Sequence, residues 1–290
     1  MEQSQKAQYA QALESFQRSL AIWEQALGAN HPDVATSLNN LAGLYWSQNQ
    51  TEPALTRLVR TLDIGDINLA QNLVIGSEAD KRAYLKTFAS STDTAISFHL
   101  QFAPTNLQSA RLALTTILRR KGRVLDTLSQ SLIRLRQQLS PADQQRQQLQ
   151  LLNTQAEQIE AELNRSSSAF AQTTPKVTLE AVQKAIPANA ALVEFIQYEP
   201  FNPKAPQGQG FGAPRYAVYV LTSSGEPRFA DLGSASEIDA LVAQYRSATL
   251  DPRRPLSEAQ AAARTLSAKI MAPVRQFVST ANHLLIAPDG

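Results

Sequence analysis

The sequence predicts an α+β protein in which helices come first and a small sheet comes last. Three observations predict this class. A helical pattern recurs within the first 70 residues, and two leucine seams follow in the middle of the chain. Runs rich in β-branched and aromatic residues, bounded by proline and glycine, come after residue 190 and are typical of strands. The chain therefore divides into residues 1–70, 71–174 and 175–290.

Composition limits the possible functions. The chain has 290 residues, of which 43% are hydrophobic, so it can bury a sizeable core. A net charge of +2 argues against a polyanion binder held by overall charge, and we predict no nucleic-acid partner. The absence of cysteine excludes a disulfide scaffold and a thiol nucleophile within these residues. Three widely separated histidines indicate no metal site.

The sequence also indicates where the protein resides. No segment reaches the ~18–20 continuous apolar residues that span a membrane. The first residues, MEQSQKAQYAQALESF, lack a basic region followed by an apolar one and so do not resemble a secretory signal. We predict a cytoplasmic protein with no membrane partner.

About one and a half copies of a helical repeat occupy residues 1–70. Residues 8–28 align with residues 50–70, and Ser19 falls on Thr61. Identical pairs are Ala12 and Ala54, Leu13 and Leu55, Arg18 and Arg60, Leu20 and Leu62, Ile22 and Ile64, and Leu27 and Leu69. Between the copies, apolar residues from Val34 to Tyr45 recur at helical spacing. The pattern predicts a helix–turn–helix unit repeated at an interval of 42 residues.

This unit resembles a tetratricopeptide repeat, of the long variety found in kinesin light chains. LNNLAGLY followed by Ala54 matches the family's alternation of large and small residues, whereas Thr51 and Pro53 depart from it. The resemblance implies a protein or peptide partner in the groove lined by the first helix of each repeat. Asn39, Gly43 and Trp46 share one face of that helix and are the predicted partner-binding residues. The alternative is that Trp46 packs against a neighbouring helix and Asn39 is only solvated.

The middle of the chain predicts an antiparallel helical hairpin, within a helical linker over residues 71–174. One seam runs from Leu125 to Leu139 and a second from Leu149 to Leu163, both with alternating spacings of three and four residues. A basic cluster, Arg119 to Arg123, precedes the first seam. We interpret it as a solvated helix face; the alternative is contact with nucleic acid or an acidic partner.

The last segment predicts strands over residues 191–198, 215–223, 226–233 and 283–290, the first three forming an antiparallel meander. Between the first two strands, Gly208, Gly210 and Gly212 alternate. They do not lie between a strand and a helix N-terminus, as a phosphate-binding loop requires. We interpret them as a disordered hairpin loop.

The whole chain, from Tyr9 to Gly290, resembles the CHAT family, which joins caspase-like domains to tetratricopeptide repeats in bacteria, notably cyanobacteria. The segments that carry the resemblance are LTTILRRKGRVLD, LVEFIQY, YAVYVLTSSGEPRFADLG and LLIAPDG. The resemblance implies a caspase-hemoglobinase fold, with a parallel sheet flanked by helices. Residues 175–290 would then be the N-terminal part of an incomplete α/β caspase-like domain.

The resemblance also implies a cysteine peptidase, which needs a histidine base beside a cysteine nucleophile. In the family both lie beyond the APDG strand, and no residue of this chain matches either motif. We therefore predict no catalytic, cofactor-binding or metal-binding residue, and we interpret His283 as a packed or solvent-facing residue. The expectation is a fragment of a longer peptidase, inactive by itself; the alternative is a non-enzymatic scaffold that binds a partner peptide. Open sheet edges predict self-association, but the sequence does not specify the oligomeric state.

Overall fold

The computed structural model describes residues 2–72, 89–121, 177–206, 209–251, 253–278 and 281–289. The protein is α+β, as predicted, with helices first and a small mixed sheet later. The chain divides into two compact units. The first unit comprises Met1–Ser91 and Leu118–Lys176, and the second comprises Thr92–Ile117 and Val177–Gly290. The two predicted leucine seams lie outside the described residues.

The first unit contains the predicted helix–turn–helix. Its helices are α1 (Glu2–Leu27), α2 (Pro32–Ser47) and α3 (Thr51–Asn72). Gly28 follows α1 with a φ of 87°, a conformation that favours glycine. His31 caps α2, where its Nδ1 accepts a hydrogen bond from the amide of Asp33 at 3.2 Å. Asn49, with a φ of 60°, turns the chain into α3.

Apolar side chains between α1, α2 and α3 form the core of this unit. Val34, Leu38 and Ile64 are buried together, with Leu20 of α1 packed against them. The small residues Ala42 and Ala54 are buried as well. Complete burial of one aliphatic side chain contributes roughly 1.5–3 kcal/mol, so these contacts hold the three helices together more strongly than helix propensity does.

Four strands form the sheet of the second unit, in the order β3-β2-β1-β4. They are β1 (Ala190–Tyr198), β2 (Arg215–Thr222), β3 (Arg228–Ser234) and β4 (His283–Ala287). The predicted meander is confirmed, because β1 pairs with β2 and β2 with β3 in antiparallel fashion. β4 lies parallel to β1. Of the parallel sheet that the CHAT resemblance implies, the described strands show only the β1–β4 pair, while β1, β2 and β3 are antiparallel neighbours.

Helices precede the strands in the chain and also lie between β3 and β4. They are α4 (Ala89–Ser97), which continues into a π-helical turn (Phe98–Phe102), α5 (described over residues 107–121), α6 (Leu179–Ala185), α7 (Ala235–Leu250) and α8 (Leu256–Phe277).

One face of the sheet, which we call the first face, packs against α7 and α8. It carries Ala191, Val193, Val218 and Val220, which alternate along β1 and β2. Ile238 of α7 and Val274 of α8 are buried against these residues. The first face is therefore an apolar layer between strands and helices.

The opposite face, which we call the second face, carries polar as well as apolar side chains. The strand registers place Glu194, Tyr219 and Phe229 in one row across β1, β2 and β3. His99 of the π-helical turn lies on this row. Its Nδ1 is 2.9 Å from the Tyr219 hydroxyl oxygen, and its ring meets the Phe229 ring edge-on with centroids 4.1 Å apart. The segment of residues 92–117 therefore contacts the second face.

The glycine-rich loop extends the β1–β2 hairpin. Phe201 and Phe211 form an antiparallel bridge, with ring centroids 5.1 Å apart. The amide of Asn202 donates a hydrogen bond to the Gly210 carbonyl at 2.7 Å. A Cβ at Gly210 would come within 2.9 Å of the Phe201 ring, so a larger residue there would require that ring to move. The hairpin is thus confirmed, but the expected disorder is wrong for the described part of the loop; Gly208 lies outside it.

Because His99 is buried, it makes the unfolding free energy of the protein depend strongly on pH. Burial lowers the pKa of His99 to about 4, although the Pro104 carbonyl acts in the opposite direction. Among the described residues, none meets hydrogen-bond geometry with its Nε2. The unfolded chain, with a histidine pKa of 6.5, binds a proton that the folded chain does not. Stability therefore falls as the pH drops from 6.5 toward 4.

We predict that His99 accounts for a loss of about 3 kcal/mol in unfolding free energy across that interval. The check is urea unfolding between pH 7 and pH 4, comparing the wild type with His99→Gln. The variant should be less stable at neutral pH and should lose less stability on acidification. His283→Gln, at an exposed histidine, is the control and should keep the wild-type slope. An unchanged slope in His99→Gln would contradict the assignment.

Candidate protein-interaction site

The sequence places partner binding on the face of α2 that carries Asn39, Gly43 and Trp46, and the solvent-facing side of the helix shares only Gly43 with that prediction. Helical spacing aligns its outward-facing positions at intervals of three and four residues. They are Asp33, Thr36, Asn40, Gly43 and Ser47, of which the first three are exposed and the last two half-buried. We call these five residues the α2 face.

The three predicted partner-binding residues occupy different environments. Gly43 lies within the α2 face, and Asn39 is half-buried on its flank. Trp46 lies on the same flank but is only 6% exposed, so its indole offers almost no surface to a partner. This burial favours packing as the role of Trp46, which is the alternative that the sequence left open. Partner binding by Asn39 and Gly43 stays a prediction.

The polar groups of the α2 face determine what it can bind. The hydroxyls of Thr36 and Ser47 donate to carbonyls of their own helix. In the described part of the chain, Asn39 and Asn40 have no hydrogen-bond partner for their side chains. Each amide can donate and accept, which matches the alternating N–H and C=O groups of an extended peptide. The sequence analysis missed Asn40, although its spacing from Asp33 and Thr36 would have indicated it.

The electrostatics of α2 are mild. Asp33 is its one charged residue, and its carboxylate lies 3.5 Å from Nδ1 of His31. The helix contains no lysine or arginine. Long-range attraction to a charged partner is therefore weak, and binding here would depend on hydrogen bonds and contact area.

Arg119, the first residue of the basic cluster, contacts carboxylates of α3. One guanidinium nitrogen of Arg119, on α5, lies 2.7 Å from Asp66 and 3.4 Å from Asp63. The side chains of Arg119 and Asp66 are each only 14% exposed. The solvated helix face expected for this cluster is therefore wrong for Arg119, because carboxylates rather than water surround its charge. Arg123 lies outside the described residues.

The comparison with protein families supports the assignment of these helices. Residues 4–66 match the tetratricopeptide repeat family. The match covers α1, α2 and most of α3, and such repeats mediate protein–protein interaction. The chain matches no curated protein and no solved structure. Among the described residues, no helix is long and apolar enough to cross a membrane.

Two ion pairs that involve α3 should differ greatly in strength. Arg119→Ala removes a nearby positive charge from the poorly solvated carboxylate of Asp66, and we expect a loss of about 2 kcal/mol in unfolding free energy. Arg60 of α3 pairs with Glu24 of α1, but both side chains are one-third exposed or more. Water screens that pair, so Arg60→Ala should cost less than about 1 kcal/mol.

Chemical denaturation of the two variants, followed by circular dichroism, measures the difference. Arg119→Lys tests whether charge alone is enough, and we expect it to restore only part of the loss because lysine cannot hold two carboxylates from one planar group. Equal losses in Arg119→Ala and Arg60→Ala would show that the Arg119 contacts add nothing beyond a surface ion pair.

Proposed function

We propose that the chain binds a protein partner through the α2 face and its flank, with Asn40 on the face and Asn39 on the flank holding an extended peptide segment. The single observation that carries this proposal is the pair of adjacent amide side chains that have no partner within the described residues, on the helix that lines the groove in tetratricopeptide repeats. Gly43 adds to it, because a residue without a side chain lets a peptide backbone approach the helix.

Trp46 has a supporting role in this proposal. Its buried indole fixes the flank of α2 from which Asn39 projects, so a change at Trp46 would act on the surface through packing. Truncation of a buried tryptophan costs roughly 3–5 kcal/mol, which would obscure any effect on binding. The binding experiment therefore needs variants that leave Trp46 intact.

The proposal predicts that Asn39→Ala with Asn40→Ala abolishes partner capture while the thermal midpoint changes by no more than about 2 °C. The measurement uses the immobilised chain and a native lysate, with bound proteins identified by mass spectrometry. Asn30→Ala is the matched control, because Asn30 is an exposed asparagine of the first unit outside the α2 face. Capture of the same proteins by the double variant and the wild type would refute a role for the α2 face.

We further propose that this interaction module belongs to a CHAT-type, caspase-like protein. The segments LVEFIQY and LLIAPDG support the proposal, and they coincide with the adjacent parallel strands β1 and β4. The chain contains no cysteine, so a cysteine nucleophile would have to come from outside these residues. The same absence favours the second candidate, a non-enzymatic tetratricopeptide scaffold.

A peptide-cleavage assay tests the enzymatic part of this proposal. We expect no cleavage of fluorogenic peptides by the purified chain. Turnover that co-purifies with the chain and persists in the presence of a thiol-alkylating reagent would contradict a caspase-like origin, since that chemistry depends on a thiolate.

A further inference from the structure

We draw no further inference here: the strongest candidate, the surface patch at the turn between α7 and α8, where Leu250 and Leu256 are 74% and 73% exposed, carries none, because nothing in the structure shows what covers it.

Discussion

The sheet of the second unit depends on the contact between its second face and the segment of residues 92–117. β1 and β2 carry buried side chains on both faces of the sheet. If only the first face were covered, Glu194, Tyr198 and Tyr219 on the second face would be exposed to water. α7 and α8 follow the strands closely in sequence and cover the first face. The second face is reached from a part of the chain that precedes the strands by about 70 residues or more, which makes this contact costly in loop entropy.

Specific polar contacts fasten that segment. His99 meets Tyr219, and Ser97 accepts a hydrogen bond from the Phe201 amide at 2.8 Å. Arg111 pairs with Glu180 and with Glu226, which lies at the turn between β2 and β3. Burial raises the pKa of Tyr219 well above its usual value, so its hydroxyl stays protonated and keeps its hydrogen-bonding role. The buried contacts of Ser97, His99 and Tyr219 add specificity, because a displaced segment would leave buried polar groups without these partners.

Local sequence patterns predicted the individual helices and strands better than they predicted which elements pack or pair with one another. The repeat predicted α1 to α3 because helical spacing and small interlocking residues are local signals. The strands β1 to β3 were predicted for the same reason, because runs of β-branched and aromatic residues bounded by proline and glycine are also a local signal. The pairing of β4 with β1 and the position of His99 on the second face depend on contacts across nearly a hundred residues or more, which no spacing rule contains.

In the candidate site, too, the sequence predicted the helix but not the surroundings of its side chains. The sequence identified α2 and one of its faces, but Trp46 turned out to be buried and Asn40 exposed. Both follow from rotation about the helix axis: Trp46 lies toward the buried flank, whereas Asn40 shares the outward direction of Asp33 and Thr36. Arg119 was misread for a different reason, because Asp63 and Asp66 on α3 are more than 50 residues away in the sequence.

Native-state hydrogen exchange, resolved to single amides, tests most directly whether the sheet depends on the segment of residues 92–117 that packs on its second face. If the segment of residues 92–117 and the sheet form one cooperative structure, the amides of Leu114 and Ile117 should exchange with the same opening free energy as those of Val218 and Tyr219. Raising the denaturant concentration should then merge both groups into the global unfolding transition. Rapid exchange in the segment while β2 stays protected would show that the sheet is stable without this cover, and it would contradict the account.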